Sequence, residues 1–166
     1  MIALLAATGC QETIDRVRGK EPPPCPRIAI LSDAAQYTQF RPGAGRDITD
    51  IAYEAEIVGY EGYCTHHEKN ASIEVVLKLM IDVTRGPAGS DGASEIRYFF
   101  AVPDRAKQVF ASPFKFERGT PKIRMIEDEI VVNIPMRSGD SVHNADIWVG
   151  FQLSPDQLEL NRKRKR

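Results

Sequence analysis

The sequence predicts an all-β fold: an immunoglobulin-like antiparallel β-sandwich of about seven strands, followed by a short C-terminal helix. Three observations carry that expectation. Apolar and polar residues alternate through the longer stretches after Arg27, the period of a strand with one buried face. Clusters rich in Gly, Pro, Asp and Asn separate those stretches, as turns require. Apolar spacings of three and four, the mark of an amphipathic helix, are missing from them.

The chain of 166 residues suits one domain with short extensions. Its 22 Lys+Arg balance 23 Asp+Glu, so no global field for nucleic acid or an acidic partner is expected. No stretch reaches the roughly 20 apolar residues of a bilayer-spanning helix.

The chain opens on an apolar stub that ends at Gly9-Cys10, where polarity switches at once. Residues 1–9 fit the back end of a secretory signal peptide, without its basic start. Ala6-Ala7-Thr8-Gly9-Cys10 resembles the lipobox of bacterial lipoproteins, with Ala7 where leucine is commoner. The resemblance implies that Cys10 is acylated and becomes the mature N-terminus, so that the protein meets the membrane through its acyl chains. Each buried CH₂ of such a chain contributes about 0.8 kcal/mol, and more than one chain anchors stably. A short buried N-terminal strand is the alternative. The polar, proline-ended run QETIDRVRGKEPPP argues against it and reads as a tether over residues 10–25.

Cys25 and Cys64 remain as a candidate pair, a disulfide if the chain is exported. Closing a loop of about 40 residues contributes up to about 4 kcal/mol in the chain-entropy account. Three unrelated thiols in a cytosolic protein are the alternative.

The domain is expected over residues 26–153. Ile51, Tyr53, Ala55, Ile57 and Gly59 share one face, with Glu54 and Glu56 opposite. The alternation is cleanest at Ile73, Val75, Leu77, Leu79, Ile81 and Val83. It returns at Ile96, Tyr98, Phe100 and Val102, at Ile130, Val132, Ile134 and Met136, and at Ile147, Val149, Phe151 and Leu153. RIAILS and QVFASPFKF are shorter candidates, the second broken by Pro113. VTRGPAGSDGASEI reads as a hairpin with a long tip, and GYEGYCTHHEKNAS as a loop. Trp148 falls on the outward phase of its strand.

Ser154-Pro155-Asp156-Gln157 is a helix start, with a capping Ser and Pro at the first helical position. Leu158 and Leu160 are expected to pack back on the domain. Arg162, Lys163, Arg164, Lys165 and Arg166 then form a basic tail over residues 154–166. It reads as solvation and helix capping, or as an electrostatic contact with anionic lipid or another envelope polymer. No aromatic residues interleave the charges, so nucleic acid is not an expected partner.

Cys64-Thr65-His66-His67-Glu68 is the one cluster with metal-ligand chemistry, but its spacing fits neither HExxH nor CxxC. A solvated loop beside the disulfide is the plainer reading. No nucleophile elbow or phosphate loop is present, and no cofactor is expected. The stretches PPPCPRIAIL, RPGAGRDITD and VGFQLSPDQLELNR resemble small envelope lipoproteins of alphaproteobacteria. That resemblance implies the periplasmic face of the cell envelope, with anchoring expected at the outer membrane, and no catalytic residues. The expected function is therefore a membrane-anchored, non-enzymatic accessory or interaction subunit of an envelope complex. The alternative is a metal-dependent envelope enzyme or metal carrier using His66, His67 and Glu68.

Overall fold

β-branched and aromatic side chains at every second position favour extended chain, because each packs on a pleated, half-buried surface. A computed structural model of the chain describes residues 23–164, with residues 44 and 106 excepted. Eight strands form: β1 (Ile28–Ile30), β2 (Gln36–Phe40), β3 (Ile51–His67), β4 (Ser72–Arg85), β5 (Ala93–Ala101), β6 (Gln108–Lys115), β7 (Lys122–Pro135) and β8 (Ile147–Phe151). They pair into two four-stranded sheets, ordered β1-β8-β5-β6 and β2-β3-β4-β7. A helix α1 (Pro155–Arg164) follows. The fold is an all-β sandwich, antiparallel apart from the parallel pair β1–β8. The signal-peptide remnant at 1–9, Cys10 and most of its tether lie outside the described residues, as do Lys165 and Arg166.

The alternating residues of β4 are its inner face: Ile73, Val75, Leu77, Leu79, Ile81 and Val83 are all buried. Ile96, Tyr98 and Phe100 of β5 and Ile147, Val149 and Phe151 of β8 are buried with them in one core. Burying each such side chain stabilises the fold by about 2 kcal/mol relative to exposure. Aromatic contacts cross between the layers. Tyr53 of β3 meets Phe114 of β6 edge to face at 5.0 Å, and its hydroxyl donates to the carbonyl of Glu95 at 3.1 Å.

The register of the β2-β3-β4-β7 sheet shifts at three places, one of them between Gln39 and Phe40 of β2. Ile57 pairs with Ile81 and Gly59 with Met80, which leaves Val58 as the extra residue of β3. Beyond it the inward phase changes: Tyr60, Gly62, Cys64 and His66 lie opposite the buried Leu79, Leu77, Val75 and Ile73. Simple alternation places Gly59 on the core face, and the bulge moves it off that phase. In β7 the register jumps between Leu77–Ile130 and Leu79–Glu127, with Glu129 in the left-handed region at φ 56°. The first half of β7 therefore points Glu127 inward. Its carboxylate accepts from the Ser112 hydroxyl at 2.5 Å and from the Tyr98 hydroxyl at 3.3 Å.

Several expectations are corrected. β4 and β5 belong to different sheets, so VTRGPAGSDGASEI is a crossover between layers and not a hairpin. Pro113 does not break β6. It pairs with Glu95 inside an edge strand, where a missing N–H is tolerated. The stretch read as a loop from Gly59 to Ser72 is the far half of β3, a short 3-10 turn over Glu68–Asn70, and the start of β4.

The helix forms where its start signal lies. Ser154 Oγ accepts from the Gln157 N–H at 3.2 Å, and Gln157 Oε1 accepts from the Ser154 N–H at 2.9 Å, a reciprocal capping box. Leu158 and Leu160 are half-buried, while the deepest helix residue is Asn161.

Candidate functional site

β3 extends past its partner. Pairing with β2 ends at Gln36–Glu56, and the last link is the Ile57 N–H to the Ala35 carbonyl at 3.0 Å. From Val58 to His67, no strand among the described residues pairs with this side of β3. Such an edge offers a row of backbone donors and acceptors to another extended chain. Apolar side chains accompany it: Tyr63 is 64% and Val58 42% exposed, with Tyr60 beside them.

The other edges are treated differently. The edge of β2 is covered by α1: Gln157 Nε2 donates to the Thr38 carbonyl at 3.0 Å, and Asn161 Nδ2 to the Gln36 carbonyl at 2.7 Å. β6 carries Pro113, β1 has only three residues, and β7 is bent by its bulge and lined with Arg124, Asp128 and Glu129. Proline, shortness, bulges and charges are the means by which proteins keep edges from pairing.

The segment before β1 lies along the inner phase of the same half of β3. Cys25 and Cys64 are joined, with Cα atoms 5.7 Å apart. On either side, His66 Nε2 lies 3.0 Å from the Pro24 carbonyl, and the Tyr60 hydroxyl donates to the Ile28 carbonyl at 2.7 Å. Residues 60, 64 and 66 share one phase, so a single face of β3 holds residues 24–28. Cys64 is therefore a strand residue and not the flank of a loop. Gly62, on that phase between Tyr60 and Cys64, has no room for a side chain: a Cβ there would lie 2.6 Å from the Leu77 side chain.

The strand also decides how the histidines are arranged. His66 pairs with Ile73 and points inward, and His67 pairs with Ser72 and points outward. Successive strand residues face opposite sides, so His66 and His67 do not converge, and Glu68 follows in the 3-10 turn. Among the described residues, no three His, Cys, Asp or Glu side chains are grouped to hold a metal ion.

The described part of the basic tail is engaged within the chain. Arg162 pairs with Asp33 at 3.1 Å, Lys163 with Glu159 at 2.7 Å, and Arg164 with Glu54 at 2.8 Å. The Arg164 guanidinium also donates to Thr38 Oγ1 at 3.1 Å. Arg164 thus ties α1 to β2 and β3, Arg162 ties it to the turn before β2, and the Lys163 pair lies within the helix. The sequence pattern did not reveal the open edge, because pairing is a property of the sheet. The bulge at Val58 had one local signal, a break of phase at Val58-Gly59.

Fold and geometry together define a disulfide-clasped, two-sheet β-sandwich in which, among the described residues, the far half of β3 has an unpaired edge. No family model, no curated protein and no solved structure matches the chain.

Proposed function

We propose that this chain is a membrane-anchored periplasmic lipoprotein that works by contact and not by catalysis, receiving an extended segment of an envelope protein along β3. The observation that carries the reading is the open edge from Val58 to His67. Strand addition satisfies backbone groups over several residues, and alternate side chains then set specificity. Glu56 and Glu61 are exposed on the outer phase beside the edge, which favours a segment carrying Lys or Arg. The Cys25–Cys64 bond supports an oxidising compartment, and the lipobox-like Ala7-Thr8-Gly9-Cys10 supports the anchor.

The test has two arms. Intact mass of protein extracted from native membranes is expected to show a diacylglycerol-modified Cys10 as the first residue. An unmodified Cys10 with Met1 retained would remove the anchor from the proposal. A photo-crosslinking residue at Tyr63 is expected to give an adduct with an envelope protein through an extended peptide, and the same group at Ile126 of β7 is not. A Tyr63 adduct to this chain's own residues before 23, or no adduct, would overturn the edge as the contact surface.

A further inference from the structure

We propose that the cleft lined by Trp148 is a glycan-binding site, separate from the β3 edge. The cleft encloses about 440 Å³, where the connection after β5 meets the connection between β7 and β8. That volume lies within the range of small-ligand sites, about 300–1,000 Å³.

Trp148 is on the outward phase of β8, between the buried Ile147 and Val149. Its cross-strand partners are Ala29 on one side and Ala101 on the other. Paired residues share a face of the sheet, so neither flanking position carries a side chain large enough to cover the indole. A large aromatic ring is thus half-buried and lines the cleft. The rim is polar: Asp104, Arg137, His143, Asn144 and Asp146 line it.

The rim is also assembled in advance. Arg105 Nη2 donates to Asp140 Oδ2 at 2.7 Å, and Nη1 donates to the Pro135 carbonyl. Asp140 Oδ2 accepts a second bond from the Arg137 N–H at 2.7 Å. The Arg105 and Asp140 side chains are only 14% and 26% exposed. This pair ties the β5–β6 turn to the β7–β8 connection, so the two walls do not have to be ordered when a ligand arrives.

The mixture of groups selects the ligand class. Carboxylates and guanidinium lie in one cleft, so a strongly charged ligand meets repulsion as well as attraction. A neutral polyhydroxylated ring uses both, because each hydroxyl donates and accepts. A flat, partly apolar indole suits the C–H face of a pyranose, and the polar rim groups offer partners to the hydroxyls.

Trp148 is the one tryptophan in the sequence, so emission excited beyond the tyrosine absorption band reads this site alone. The full folded chain is titrated with maltotriose, with chitotriose, with choline chloride and with inorganic phosphate. A saturable change in Trp148 emission is expected with at least one of the two oligosaccharides and with neither ion. Asp146→Ala and Asn144→Ala, made separately, are each expected to weaken that binding about tenfold by removing rim hydrogen bonds, with the urea midpoint unchanged. No saturable response to either oligosaccharide would overturn the proposal. A saturable response to choline or phosphate, or saccharide binding unaffected by both substitutions, would overturn it equally.

Discussion

Asn161 of α1 donates from Nδ2 to the carbonyls of both Asp33 and Gln36, at 2.9 and 2.7 Å, and the residue is 2% exposed. The polar residue at the heart of the helix contact thus closes the end of β2. Asn161→Ala leaves both carbonyls without that donor and is expected to cost about 2 kcal/mol. Urea unfolding followed by far-UV circular dichroism measures it. A loss within experimental error would mean that α1 is docked by Leu158 and Leu160 instead.

The Cys25–Cys64 bond encloses a separation of 39 residues. Chain entropy then predicts that reduction lowers stability by up to about 4 kcal/mol. Denaturation with and without reductant checks the magnitude, and peptide mapping without reductant checks the pairing. Two free thiols in protein isolated without reductant would refute the bond and count against the proposed periplasmic location.

Asp82 sits on the outer phase of β4, its carboxylate bonded by Arg124 Nε at 2.6 Å and Lys122 Nζ at 2.7 Å. Hydrogen bonds from Arg124, then from Lys122, hold its pKa well below the ordinary carboxylate range against a smaller burial effect. A folded pKa below the unfolded value means the stabilisation is present above about pH 4. It is lost as pH falls from there toward the folded value. In Asp82→Asn the stability is expected to be lower at pH 7, with a shallower decline between pH 4 and 2. Urea midpoints across that window show whether the slope changes.

Arg164→Glu places a carboxylate beside Glu54 in place of the present ion pair. Exposed pairs contribute about 0.2–1 kcal/mol, so a loss at the upper end, reduced by added salt, is expected. Lys163→Glu disturbs only an i, i+4 pair within α1 and is expected to do less. Equal effects at both positions would show that the contact of α1 with β3 is not what the tail stabilises.

Val58→Lys and Tyr63→Lys alter exposed positions of the β3 edge. Their stability effects are expected to stay within about 0.5 kcal/mol. Val58→Lys is expected to abolish the adduct formed from position 63 in native membranes, since an edge lysine opposes strand addition. An undiminished adduct would place the contact on the Tyr63 side chain alone and not on the strand edge.

What the sequence determined by itself was whatever depends on local periodicity. Burial of one strand face imposes a period of two, so the core residues of β4, β5 and β8 are readable without a structure. The capping box at Ser154–Gln157 was readable because its partners are three residues apart. The Cys25–Cys64 pair was readable because two cysteines remained once Cys10 was assigned to the lipobox. Tertiary structure alone decided which turns are hairpins, because a Gly-rich tip serves a crossover between sheets as well as a return within one. It also decided the phase of β3 beyond Val58 and of β7 before Ile130, since one inserted residue rotates every later side chain to the other face. The open β3 edge, the Asn161 contact and the Trp148 cleft belong to this second group. Each depends on groups far apart along the chain, brought together by sheet pairing, and no pattern within one segment records them.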